Sequence, residues 1–284
     1  MTDTQLTAAI TAFEAAFPSH PISYYHLHIG TAIPRDHTLI VVFPRPLNWE
    51  QRTAVEALIR AIKALIPLEI TIELTDQFAL QFTPHPALSH AAVLLQGPDI
   101  RDQIAPITVD AWYETHLHQT YRHAIIPFRP ITPIRLPLEY PDPKAPFFGY
   151  ANPDQPDLYR WAQAIRACAI ALIATQYPRI MVGAIDVISH YREGIGGKTA
   201  DWLEQVIVNA HRWQYHPPRK EWAAVRELCR DTLHFENEFM RLYQRVLLSQ
   251  LWGADQARRD QALSVMLQHP LDDPDIRGAI HAQP

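Results

Sequence analysis

The chain has 284 residues with 25 Lys+Arg against 30 Asp+Glu, a formal net charge of -5, and at roughly 100–200 residues per domain it is expected to hold one large or two modest domains. Apolar residues at 48% and charged residues at 19% exclude a mostly disordered chain. The acidic balance, with no long basic run, argues against a dedicated nucleic-acid surface, because neutralising phosphates needs clustered Lys and Arg.

No stretch approaches the roughly 18–20 apolar residues of a membrane span. The start, MTDTQLTAAI, lacks the basic region of a signal peptide. The expectation is a cytoplasmic chain without a membrane partner. Cys168 and Cys229 lie in helical patterns without a CxxC spacing and are expected to be buried thiols. Proline outnumbers glycine by 25 to 9, the reverse of average usage, about 5% Pro and about 7% Gly.

In chain order, Asp3 to Phe17 carries Leu6, Ile10, Phe13 and Phe17 at helical spacing. Ile22 to Gly30 reads as a strand with Tyr25, Leu27 and Ile29 on one face and Tyr24, His26 and His28 on the other. Thr38 to Phe43 is a short apolar run, a buried strand. Asn48 to Ile66 is the clearest helix: Asn48 and Gln51 make a capping box, and Val55, Leu58, Ile59, Ile62, Leu65 and Ile66 form one stripe. Leu68 to Leu74 alternates, with Glu69, Thr71 and Glu73 opposite the apolar set. Ala92 to Leu95, stopped by Gly97-Pro98, is a fourth strand. This order of helices and strands predicts a sheet covered by helices.

Nine prolines fall between Pro127 and Pro156. Neither a helix nor a central strand tolerates that density, which predicts a stiff connector or an irregular strap packed over a surface. Beyond it nothing reads as strand. Helices are predicted over Asp157–Gln176, Pro178–Arg192, Thr199–Trp213, Pro218–Trp252, with a possible break, and Asp255–Gln268, joined by the short links of a bundle. The expected domains are 1–126, a connector over 127–156, and 157–284.

Four stretches carry a family resemblance. They are the strand-turn His28-Ile29-Gly30-Thr31-Ala32, the segment Asp36-His37-Thr38-Leu39-Ile40-Val41-Val42, the strand Leu68-Glu69-Ile70-Thr71-Ile72, and Gly196-Gly197-Lys198-Thr199-Ala200-Asp201-Trp202 at a helix start. Together they resemble the aminoglycoside adenylyltransferases of the spectinomycin/streptomycin type. The resemblance implies an α+β protein, with an N-terminal nucleotidyltransferase-like α/β domain and a C-terminal all-α helical bundle domain. It also implies transfer of AMP from Mg-ATP to a hydroxyl of a small-molecule acceptor. On this template Asp36 is a magnesium ligand and Glu69 the base, while Gly30, Thr31 and Lys198 meet the nucleotide.

The chemistry requires such residues, because charge developing on the transferred phosphate must be neutralised and the acceptor's proton removed. Here the motif is degenerate. Thr38 stands where the family has a second aspartate on the same strand face, and the turn after Gly30 is short and contains Pro34. Lost or altered catalysis is therefore expected beside activity. The alternative is a non-catalytic relative that senses nucleotide or binds a protein partner.

Outside the template, His26 and His28 share a strand face with the spacing that suits Zn²⁺, but the sequence supplies no third ligand. His116, His118 and His123 cluster without a readable role. Gly194 to Thr199 lacks the first-glycine spacing of a P-loop and does not follow a strand.

Overall fold

The structure is a computed structural model describing residues 2–18, 22–28, 37–65, 70–129, 133–151, 157–182, 187–213 and 215–282. The chain forms two compact units, Met1–Trp112 with Ile180–Asp186, and Tyr113–Arg179 with Val187–Pro284. The described residues are a mixture of helices and one four-stranded mixed sheet.

In the first unit, helix α1 (Thr2–Ala16) precedes strands β1 (Ser23–His28) and β2 (His37–Phe43). Helix α2 (Trp49–Leu65), strand β3 (Thr71–Asp76), short helices α3 (Gln77–Phe82) and α4 (Pro86–His90), and strand β4 (Val93–Gln96) follow. The sheet order is β3-β2-β1-β4. β1 is antiparallel to both β2 and β4, whereas β2 and β3 are parallel.

The continuous apolar run of β2 reflects burial on both faces. Leu39, Val41 and Phe43 join Tyr24, Phe13 and Phe17 in a core with α1 and α2, while Ile40 and Val42 join Tyr25, Leu27, Leu80 and Leu88 on the other side. Rings fix the first core: Phe17 meets Phe43 edge-on at 5.6 Å. The outer strand β3 exposes Thr71 and Glu73, as its alternation predicts, but also Leu74 of the apolar set.

The α2 capping box forms as expected. The Gln51 amide donates to Asn48 Oδ1 at 2.8 Å and the Asn48 amide to Gln51 Oε1 at 3.0 Å. Val55 and Ile62 of the stripe are buried, each contributing about 1.5–3 kcal/mol. Where β4 ends, Gly97 has φ +90°, and a Cβ there would lie 2.2 Å from the Ile22 carbonyl oxygen, so no other residue fits without rebuilding the turn. The buried Tyr25 hydroxyl then pins the following loop, donating to Asp99 Oδ1 at 3.0 Å and accepting from the Ile100 amide at 2.8 Å.

Helix α5 (Val109–Thr120) contains the boundary between the two units, and a π-helical turn (Tyr121–Ile125) follows it. The units thus divide the chain at Trp112 within a helix, a different division from 1–126, 127–156 and 157–284.

The second unit contains α6 (Tyr159–Ala174), α7 (Val187–Gly194), α8 (Gly197–Trp213), α9 (Trp222–Trp252), α10 (Gln256–Gln268) and α11 (Pro274–His281). α6, α8, α10 and α11 all pack on α9. At 31 residues and 1.5 Å per residue, α9 is roughly 46 Å long, and it runs unbroken where a break was contemplated. The helix expected over Pro178–Arg192 is shorter. It begins at Val187, while residues 180–182 are irregular and group with the first unit, so tertiary contacts override local propensity. Ile134 and Leu271 form an isolated parallel bridge in a region that showed no strand pattern.

The described proline-rich residues 133–151 are strapped onto α9. The Leu138 amide donates to Asn237 Oδ1 at 2.7 Å, and the Arg226 guanidinium donates to the carbonyls of Ala145 and Pro143 at 2.8 and 3.1 Å. Gly149, at φ +85°, allows the chain to close over Asp142, whose amide donates to the Phe148 carbonyl at 2.9 Å.

Candidate functional site

Strand direction gathers several candidate segments. His28 ends β1 opposite His37, which begins β2, and Thr71 at the start of β3 is the register partner of Thr38. One end of the sheet therefore holds the last residue of β1 and the first residues of β2 and β3. Gly30, Thr31, Asp36 and Glu69 lie outside the described residues. Their described chain neighbours His28, His37 and Ile70 stand at this end.

The two sheet faces differ chemically there. Alternation puts Thr38, Thr71 and Glu73 on the face of Ile40 and Val42. Thr38 is buried at 6% exposure and offers a neutral hydroxyl. Glu73 is held by His85, whose Nε2 lies 2.9 Å from Glu73 Oε1. His85 Nδ1 accepts the Leu88 amide at 3.0 Å, so in the neutral ring the proton sits on Nε2 and is donated to Glu73. Glu73 thus has a structural partner and helps hold α4 against the sheet.

The other face carries three imidazoles. His26 Nε2 and His37 Nδ1 are 2.7 Å apart, with the ring planes 7° from parallel and centroids 4.9 Å apart. His28 stacks on His37 at 4.5 Å. All three are half-buried. Burial pushes the pKa of His26 down, His28 adds to this, and the Asp3 carboxylate of α1 pulls the other way. The sequence showed His26 and His28 on one face; His37 joins them through the β1–β2 register. The pairing register was the missing signal, because apolar alternation does not specify it across an eight-residue connection.

Lys198 belongs to the second unit. Gly196 and Gly197, at φ +70° and +71°, turn the chain into α8, and the Thr199 hydroxyl donates to the Gly196 carbonyl at 3.0 Å. Lys198 is exposed, with Nζ 5.2 Å from the Trp202 ring centroid, a cation–π contact beside the amide groups of a helix start. Trp202 is half-buried, and Asp201 is exposed with Arg192 Nη2 3.4 Å from its carboxylate.

The remaining singled-out residues serve packing. His118 donates to or accepts from the Tyr243 hydroxyl at 2.8 Å, and His116 Nε2 donates to the Ala167 carbonyl at 3.2 Å, while His123 is exposed. Burial pushes the pKa of both His116 and His118 down to about 4. Cys168 and Cys229 are buried free thiols, pushed up by burial.

A polar group that sequence reasoning missed sits in the middle of the second unit. Arg129 Nη2 donates to Glu236 Oε2 at 2.8 Å, and the Tyr150 hydroxyl donates to the same oxygen. Burial raises the Glu236 carboxyl, opposed by the Arg129 guanidinium. This pair links the strap to α9.

Cavities occur among the described residues of each unit. One of about 250 Å³ is bounded by Phe43, Leu47, Arg52 and Asp76 at the opposite end of β2 and β3. In the second unit one of about 610 Å³ is bounded by Phe128, Arg129 and the strap, and one of about 470 Å³ by Phe128, Tyr150 and Arg160. No described helix is long and apolar enough to cross a membrane. Comparison of the chain with protein-family models and with curated proteins finds no match.

Proposed function

We propose that the chain is a nucleotidyltransferase-like protein that binds ATP at the sheet end where β1 stops and β2 and β3 begin. In this reading Gly30 and Thr31 meet the phosphates, and AMP transfer to a small-molecule hydroxyl is altered by Thr38. The observation that carries it is the strand arrangement: an antiparallel β1–β2 pair beside a parallel β2–β3 pair, with Thr38 opposite Thr71. That topology brings the chain neighbours of Gly30, Asp36 and Glu69 to one end, as a phosphate site fed by three strands requires.

The described residues do not fit magnesium. Mg²⁺ needs hard oxygen ligands in octahedral geometry, usually with carboxylates. Thr38 gives this face a neutral hydroxyl, Glu73 is engaged by His85, and among the described residues no group of three His, Cys, Asp or Glu is arranged to hold a metal ion. No metal-dependent transfer step is assigned to the chain, and ATP binding is the part of the reading that is put to the test.

The test is a calorimetric titration of the full chain with ATP, with and without Mg²⁺, beside Gly30→Val, Asp36→Ala and Glu69→Ala. Saturable binding that Gly30→Val weakens supports the reading. Loss of binding in Asp36→Ala only when Mg²⁺ is present restores a metal role to that carboxylate. ATP binding that none of the substitutions changes, or no binding at all, overturns the site.

A further inference from the structure

We infer that the cavity at the carboxyl ends of β2 and β3 binds a small zwitterion, a free amino acid with an apolar side chain. This site is independent of the nucleotide reading, which concerns the other end of the sheet. The crevice at the carboxyl ends of parallel strands is where α/β units generally take their ligands. Here β2 and β3 run parallel and end together, Phe43 opposite Asp76, and Arg52 and Glu56 of α2 join them in bounding the cavity. At about 250 Å³ it lies below the roughly 300–1,000 Å³ of pockets for drug-sized ligands, so its occupant is a small metabolite.

Charges of both signs bound this one cavity. Opposite charges four residues apart on a helix, as Arg52 and Glu56 are, commonly pair, yet neither they nor Asp76 makes an ion pair among the described residues. Arg52 Nε donates to the Leu47 carbonyl at 3.2 Å, which holds the guanidinium beside the β2–α2 loop. Its Nη1 and Nη2 donors have no partner among the described residues. Asp76 Oδ1 accepts the Ala79 amide at 2.8 Å, which fixes the carboxylate at the start of α3, and its Oδ2 has no partner among the described residues.

A zwitterion matches that set of groups. The capping box already occupies the Asn48 and Gln51 amides, so recognition of the ligand carboxylate falls to Arg52, whose two remaining nitrogens can grip it as a fork. The ligand ammonium donates to Asp76 Oδ2 and to Glu56. A simple anion would face two carboxylates, and a simple cation would face the guanidinium; a molecule carrying both charges pairs with each. Its apolar part meets Phe43, Leu47 and Leu74. Leu74 is 38% exposed, and covering it is the apolar gain of binding.

The full chain is titrated by calorimetry with L-leucine, and then with 3-methylbutylamine and 4-methylpentanoate, which lack its carboxylate and its ammonium respectively. Leucine is expected to bind saturably, and each analogue at least about tenfold more weakly, because each leaves a charged partner unmet. Arg52→Gln and Asp76→Asn are expected to weaken leucine binding by a similar factor. Asn still caps a helix, and circular dichroism checks that both variants fold. For a variant that does not fold, the analogue series on the wild-type chain decides. No saturable leucine binding, an analogue that binds as tightly as leucine, or leucine affinity indifferent to both substitutions each overturn the proposal.

Discussion

At the scale of single residues, the second unit is held by polar groups taken out of water. Glu236 is fully buried and Arg129 is 9% exposed. Removing one partner of such a pair typically costs about 3–5 kcal/mol because the other charge is left uncompensated. His118 raises the opposite issue, a buried base that must stay neutral. Its folded-state pKa of about 4 lies below the ordinary 6.5, so between these values the unfolded chain binds more protons and stability falls as the pH falls. From neutral pH to pH 5 this histidine alone removes about 2 kcal/mol. His116, pushed in the same direction, adds to the loss. Urea melts of wild type and His118→Gln across this range are predicted to show a shallower pH dependence in the variant. Parallel curves would mean that His118 titrates normally in the fold.

At the scale of elements, local chemistry decides where chain reading succeeds. The α2 helix was legible because its start carries a capping box and its apolar stripe has one period. Asn48→Ala is predicted to lower stability by about 1 kcal/mol and Asn48→Gly by only a few tenths, read as shifts in the urea midpoint; equal losses would show that the Asn48 side chain does not cap. β2 was legible as a buried strand from its unbroken apolar run, and β3 from its alternation. Helices α3 and α4 escaped notice because five or six residues span too few turns to show a 3.6-residue period. α11 was overlooked although Asp273 followed by Pro274 is a readable start: Asp273 Oδ1 accepts the Ile276 amide at 2.9 Å. The π-helical turn after α5 has no sequence period at all, and only packing of Tyr121 and Ile125 into the core identifies it.

At the scale of the whole molecule, proline content pointed to a special segment between Pro127 and Pro156. Its described residues are fastened to α9 by side chains from Arg226, Glu236 and Asn237, residues whose partners lie about 80–100 positions away along the chain. Such distant pairings leave no local signal, so the strap was visible in the sequence and its attachment was not. The candidate site shows the same limit. Strand types were readable, but the gathering of His28, His37 and Thr71 at one sheet end follows from pairing order, which alternation alone does not give. The central claim concerns what that end binds. Photolabelling the full chain with an azido-adenine analogue of ATP, followed by sequencing of the labelled peptides, tests it most directly. Label that ATP competes away is predicted on peptides carrying the end of β1 or the start of β2. Label confined to the Arg52–Asp76 cavity at the opposite end of the sheet, or label that ATP does not compete, would contradict it.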